Sequence, residues 1–378
     1  MRLFLKSSVL IFGLIFAATL SFAAEIKIGV AEALTGPIAK YGVPIKNGFT
    51  LAAEEINQAG GISGNKINLI IEDEQGKKEE AINVFKKFIF QDKVLAIFGP
   101  TLSNSAFAAD PVANASKTVV FGTSNTAEGI TAIGPYVFRN SIAEADILPA
   151  VVKTSKNKLG LKKVAVMYGN DDSFTKSGYD VFKKALDAEG LQILATETFA
   201  KGDIDYSAQL TKIKNLKPDA IVCSALVEEA ANIVLQARKL GISESVNFIG
   251  GNGFNSPKLA EIAGKAAEGV ISGSPWFLAD PNAKNQAFVK AYKTKFSSDP
   301  DQFAAQAYDA LYVMSEALKK IKLTGNIEND RNVLRDELAK VKNYNGVGGP
   351  FSFDANRDAE QKGRVLIIKN GKFTVYSE

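Results

Sequence analysis

Histidine is absent from this sequence, and cysteine occurs once, at Cys223. Without an imidazole there is no Ser-His-Asp triad, no His-assisted cysteine nucleophile and no zinc site of the usual His-bearing kind. A single thiol can neither close an intramolecular disulfide nor build a thiolate metal cluster, so the fold must rest on a core large enough to need no covalent staple. Phosphate signatures are missing too. No GxxxxGKS or GxxxxGKT run occurs, no GxGxxG opens a helix, and the pairs Gly76-Lys77 and Gly264-Lys265 lack the upstream loop. G-x-S-x-G is also absent, which removes the nucleophile elbow. Charge is close to balance, 45 basic against 41 acidic residues for a net +4, and lysines are scattered among acids on helix faces such as Glu72 to Phe88. Nothing in that balance argues for nucleic acid. The cheapest catalytic readings are therefore gone, and no cofactor or metal is expected.

Long apolar runs are scarce as well, and the one at the N-terminus is short. Arg2 and Lys6 lead into an uncharged stretch, Ser7 to Ala24, whose apolar core runs from Val9 to Leu20. A membrane-spanning helix wants roughly 20 apolar residues. A basic start, a short apolar middle and small residues at Ser21 and Ala23 describe a secretory signal peptide over residues 1–23, cleaved near Ala23 or Ala24. No cysteine stands at that site to take a lipid, so the expected product is a soluble exported protein with net charge +2 once Arg2 and Lys6 are gone. A mature chain of about 354 residues suggests two domains.

From Glu25 onward, short β-branched runs alternate with longer amphipathic ones. Strands are predicted at Ile26 to Val30, Ile67 to Asp73, Val94 to Phe98 and Thr118 to Phe121, with helices at Tyr41 to Ala59 and Lys77 to Gln91 between them. The pattern restarts with strands at Lys162 to Tyr168, Leu191 to Ala200, Asp219 to Ala225 and Val246 to Gly251. Strict alternation implies parallel sheets with helices on both faces, and two such sets imply two similar lobes. No Gly/Ser-rich or Pro-rich linker separates them, so they should share a close hinge. Helices at Asn282 to Phe296, Gln302 to Ile321 and Asp330 to Lys342 should complete the first lobe. Asn370-Gly371, between two apolar runs, signals a hairpin on the edge of the second lobe.

In open parallel sheets, ligands sit outside the carboxyl ends of the strands. Those positions carry small polar residues here: "GPTLSNS" at Gly99 to Ser105, "GTSNTAEGIT" at Gly122 to Thr131, "GNDDSFTKSG" at Gly169 to Gly178 and "GGNGFNSP" at Gly250 to Pro257. A helix beginning beside Ser103 would offer free N–H groups and a positive dipole end to an anion. Hydroxyls of Ser103, Ser124 and Thr126 would add directional donors, a set suited to reversible capture of a carboxylate. The plainer reading is a helix cap at Ser103 and a hydroxyl-stabilised turn at Thr126. Tyr41, Phe174 and Trp276, the sole tryptophan, could wall an apolar ligand body.

The blocks "IKIGVAEALTGPIAKYG", "NGFTLAAEEINQAGGISGNKINLIIEDEQGKKEEAI", "IFGPTLSNSAFAADPVA", "YVFRNS" and "DAIVCSALVEEAANIVLQARKLG" together resemble the periplasmic type I solute-binding proteins of the leucine, isoleucine and valine uptake group. The resemblance covers essentially the whole mature chain. It implies an α/β clamshell of two Rossmann-like, flavodoxin-like lobes joined by three crossovers, monomeric in the periplasm, that hands a small solute to an ABC-type permease. Residues 24–143 plus 275–348 would form the N-terminal lobe, and 144–274 plus 349–378 the C-terminal lobe. The implied ligand-binding set is Tyr41, Ser103, Ser124, Asn125, Thr126, Phe174, Leu226, Asn252 and Trp276, with Ser103 and Ser124 to Thr126 on the ligand carboxylate. Two departures stand out. Asn252 occupies a position where amino-acid-binding relatives place an acid for the ligand ammonium, and Leu102 stands where some relatives have a disulfide cysteine. Asp171, Asp172 or Glu228 could replace the missing acid; otherwise the ligand would be a carboxylate without an amine, such as an aromatic acid. A sensory role for the same clamshell is the alternative to transport.

Overall fold

The computed structural model describes residues 25–377, so the expected signal peptide lies outside the described residues. Ten of its strands run in two sets. The first set is β1 (Glu25–Glu32), β2 (Lys66–Asp73), β3 (Ala96–Phe98), β4 (Val119–Gly122) and β5 (Val137–Arg139). They form one fully parallel sheet in the order β2-β1-β3-β4-β5. The second set is β6 (Lys163–Gly169), β7 (Gln192–Phe199), β8 (Ala220–Ser224), β9 (Asn247–Gly250) and β10 (Ile271–Ser274). Their order, β7-β6-β8-β9-β10, repeats the first with every pair parallel. The fold is thus two doubly wound α/β sheets of flavodoxin-like order. The sequence pattern missed β5 and β10, because Val-Phe-Arg and Ile-Ser-Gly-Ser lack the β-branched runs that marked the other strands.

Helices cover both faces. In the first lobe these are α1 (Ala39–Gln58), α2 (Lys78–Lys86), α3 (Ser103–Ala115), and, from late in the chain, α9 (Ala283–Phe296), α10 (Gln302–Lys319) and α11 (Ile327–Leu338). The second lobe carries α4 (Glu144–Leu159), α5 (Ser173–Ala188), α6 (Ser207–Leu216), α7 (Val227–Lys239) and α8 (Pro257–Ala263). The first core is aromatic: Phe49 and Phe98 stand 4.4 Å apart, and Phe98 and Phe121 5.5 Å apart. Cys223 is buried within β8, where burial pushes its thiol up.

Three crossovers join the sheets. The chain leaves the first sheet after β5, returns after β10 through α9, and crosses again before the final hairpin. That hairpin, β14 (Arg364–Lys369) and β15 (Lys372–Ser377), adds antiparallel to β10. Its turn places Asn370 and Gly371 at φ of 52° and 72°, the left-handed pair that two-residue hairpins favour. A small sheet of β11 (Tyr344–Gly346), β12 (Gly349–Phe353) and β13 (Ala359–Glu360) precedes it. Phe353, assigned to the C-terminal lobe in the sequence division, packs instead on Phe121 and Phe138 of the first sheet. The third passage therefore falls after β12 rather than at residue 349.

Candidate functional site

Both sheets aim their carboxyl ends at one cleft, and the turns that leave them build its walls. A small cavity is lined by Thr101, Leu102 and Ser103 after β3, Ser124 after β4, and Tyr41 from α1. The facing lobe supplies Phe174 at the start of α5, Leu226 before α7, and Asn252 and Gly253 after β9; Phe303 enters from α10. No charged side chain lines it among the described residues.

Each position follows from local chemistry. Leu102 occupies the cap position of α3 and makes no side-chain cap hydrogen bond, so Ser103 is the first helical residue and not its cap. The opening amides of that helix have no intrahelical acceptor, and they sit where the Ser103 side chain meets the cavity. Ser103 Oγ accepts the Ala127 N–H at 3.2 Å, which ties the α3 turn to the β4 turn and leaves its own hydroxyl proton to give. Ser124 Oγ donates to Thr101 O at 2.7 Å. Behind this turn, Thr101 donates to Glu32 at 2.5 Å and Ser105 to Glu74 at 3.1 Å. Burial drives the Glu74 carboxyl up to about 7 and raises that of Glu32.

The apolar walls are Tyr41, Phe174, Leu226, Leu102 and Phe303, with the Tyr41 and Phe303 rings edge to face at 4.9 Å. Tyr41 also joins the lobes. Its hydroxyl accepts the Val227 N–H at 2.7 Å and faces Gly253 O at 3.2 Å. Asn104 does the same on the rim: Nδ2 donates to Asp172 at 2.7 Å, and Oδ1 accepts the Ser173 N–H at 3.0 Å. Glu128 N–H donates to Ser177 Oγ at 2.9 Å, and Lys40 pairs with Glu228. These contacts all cross the cleft, so the lobes are closed over the cavity.

The structure brings together Tyr41, Ser103, Ser124, Phe174, Leu226 and Asn252 from the residues singled out in the sequence. Three others stand elsewhere. Asn125 braces the turn from behind, donating to Pro100 O at 2.9 Å while its carbonyl accepts the Ser141 hydroxyl at 2.7 Å. Thr126 donates to Glu144 at 3.2 Å, one layer outside the lining. Trp276 is 5% exposed beneath α9, with its indole N–H on Asn285 Oδ1 at 2.6 Å and its ring 6.3 Å from Phe288. The polar turn around Trp276 serves that local packing, not the cavity. Asn252, expected to offer a carbonyl acceptor, has Oδ1 taken by Gln302, while its N–H donates to Glu144 at 3.2 Å.

The three acids considered as substitutes are engaged as well. Asp172 caps α5 through the Thr175 N–H, Asp171 accepts the Lys201 N–H, and Glu228 holds Lys40. Sequence reasoning missed Thr101, Leu102, Gly253 and Phe303. The first two lie inside the "GPTLSNS" turn already noted, whereas Phe303 opens the apolar-rich stretch "FAAQAYDALYVM", which marks a buried helix and nothing more.

Comparison with known proteins agrees with this architecture. The periplasmic binding protein family model matches residues 25–372. The leucine-, isoleucine-, valine-, threonine- and alanine-binding protein of Pseudomonas aeruginosa is 27% identical over 362 residues, covering 95% of this chain and 91% of its own. The branched-chain amino acid transporter substrate binding protein LivJ of Streptococcus pneumoniae, solved with isoleucine, superimposes with a TM-score of 0.86 at 32% identity, covering 92% of this chain and 97% of that one. An ABC transporter solute binding protein of Rhodopseudomonas palustris BisB5, solved with 3,4-dihydroxybenzoic acid, gives 0.83 at 26% identity over 94% and 96%. With both lobes repeating one strand order around a shared cavity, and with matches along nearly all of its described length, the chain belongs to the periplasmic binding protein family, within its leucine, isoleucine and valine binding group.

Proposed function

We propose that this protein is the solute receptor of an ABC-type uptake system, closing two lobes on a small hydrophobic carboxylate, most simply a branched-chain or other hydrophobic amino acid. The observation that carries the reading is the cavity itself: five apolar side chains around one uncapped helix start with Ser103 upon it. The helix start and the Ser103 hydroxyl hold the ligand carboxylate, and Tyr41, Leu102, Phe174, Leu226 and Phe303 enclose its body. Ligand favours the shut arrangement because contacts from both lobes exist only there. The closed form is what a membrane permease would recognise. The basic, apolar N-terminal segment, outside the described residues, exports the chain. No described helix is long and apolar enough to cross a membrane.

An aromatic or other carboxylate without an amine is the second reading. It is favoured by the uncharged cavity lining and by the dihydroxybenzoate held by the relative from Rhodopseudomonas palustris. Isothermal titration calorimetry with leucine, isoleucine, valine, benzoate and 3,4-dihydroxybenzoate separates the two. Ser103→Ala should weaken whichever acid binds by roughly tenfold, the value of one hydrogen bond to a charged group. Unchanged affinity in that variant would remove Ser103 from the site.

A further inference from the structure

The cavity lining carries no charge, yet a buried acid stands directly behind it. Glu144 opens α4 just past the hinge and is 1% exposed. Its Oε1 accepts both the Asn252 N–H and the Thr126 hydroxyl, each at 3.2 Å. Its Oε2 is buried with no partner. A Cβ at residue 251 would lie 2.6 Å from that oxygen, so only glycine there leaves its surroundings open. Arg139, on β5, is the charged group that acts on Glu144. Its guanidinium is already committed to Asp358 and to the carbonyls of Asn125 and Ala127. A buried carboxylate left half-satisfied is costly until a proton or a cation completes it.

Two other buried acids near the cleft also keep an unpartnered oxygen, but Glu32 and Glu74 lie behind the Ser103 turn, where Thr101 and Ser105 donate to them, on the side read as the carboxylate end. Asp171, Asp172 and Glu228 hold the partners already described. Asp301 caps α10 through the Ala304 N–H and lines a separate groove with Trp276 and Phe373. Glu144 is also correctly placed for a bifunctional ligand. Thr126, which it binds, precedes Ala127, whose N–H rests on Ser103. Ser103, Thr126, Glu144 and the cavity-lining Asn252 are thus linked through one short run of chain and hydrogen bonds beside the cavity.

We propose that Glu144 is the anionic partner of a ligand ammonium group, so that the site selects α-amino acids over carboxylates of the same shape that lack the amine. This rests on reading the cavity as a carboxylate site. It also gives the binding step a pH signature. Burial holds the Glu144 carboxyl up at about 7. An ammonium favours its ionised form, so amino-acid affinity rises with pH through that region. A des-amino carboxylate favours the protonated form, so its affinity falls.

The test is calorimetric titration of the exported chain with leucine and phenylalanine and with their des-amino counterparts, 4-methylpentanoate and 3-phenylpropanoate, at pH 5.5 and 7.5. Wild type should bind an amino acid at least roughly tenfold tighter than its counterpart at pH 7.5, with a smaller gap at pH 5.5. Glu144→Gln should erase the gap, and adding Asn252→Asp to that variant should restore part of it. An undiminished gap in Glu144→Gln overturns the assignment. Wild type binding both kinds of acid equally overturns it while leaving the carboxylate site standing; wild type binding none of the four acids overturns both readings. If Glu144→Gln does not fold, Glu74→Gln, which leaves Glu144 in place, must keep the wild-type pH trend of the gap, and a trend lost in that variant overturns the assignment.

Discussion

Tyr41 shows how one side chain serves two purposes. Its ring walls the cavity while its hydroxyl accepts from Val227 and reaches Gly253 across the cleft. In an open arrangement those groups would be hydrated, so the hydrogen bonds favour closure alone. Tyr41→Phe should therefore weaken ligand binding by roughly tenfold while changing the unliganded melt little. Calorimetry and a thermal melt on the same sample check both halves, and equal affinity would show that Tyr41 only packs. Ser103 differs, because its loss also strands the buried Ala127 N–H. Ser103→Ala should cost about 1 kcal/mol of unliganded stability besides its effect on binding.

At the scale of elements, the site depends on helix starts delivered by strand ends. The N-termini of α3, α5 and α7 converge from two sheets because both follow the same order, which opens a crevice where neighbouring connections diverge. Trp276 belongs to a different job, locking α9 over the chain that returns to the first lobe. Trp276→Ala should lose about 3 to 5 kcal/mol of stability, the usual cost of deleting a large buried aromatic. Ligand affinity should stay within about twofold at temperatures where the variant is folded, a mere few tenths of a kcal/mol. Denaturant unfolding and calorimetry read the two quantities separately, and a large affinity loss with unchanged stability would return Trp276 to the ligand.

Over the whole molecule, the lack of histidine leaves buried carboxyls in charge of pH response near neutrality. Burial pushes Glu74, Glu144 and Asp301 up to about 7 and raises Glu32 and Asp110 as well. In the unfolded chain such groups titrate near about 4. Between roughly pH 4 and pH 7 the folded protein therefore holds more protons than the unfolded one, and stability falls as pH rises through that window. The unliganded melting temperature should be higher at pH 5 than at pH 8 and should level off above about pH 8. Glu74→Gln should flatten part of the slope. A melting temperature that rises from pH 5 to pH 8 would refute this sign.

The amino-acid order by itself determined the two α/β repeats, the hairpin at Asn370-Gly371 and the polar turns at strand ends, because periodicity and turn chemistry are local properties. It also carried most of the cavity, since Ser103, Ser124, Phe174, Leu226 and Asn252 all lie within a few residues of a strand end. Tertiary structure alone decided what crosses long stretches of chain. Phe303 reaches the cavity because α10 packs along α1, and Trp276 leaves it because α9 covers the indole. Phe353 joins the first sheet rather than the second. Most consequential, Glu144 meets Asn252 across 108 residues. A glutamate at the start of a helix looks like any dipole-compatible surface acid; only folding buries it beside the cleft with an oxygen unmet.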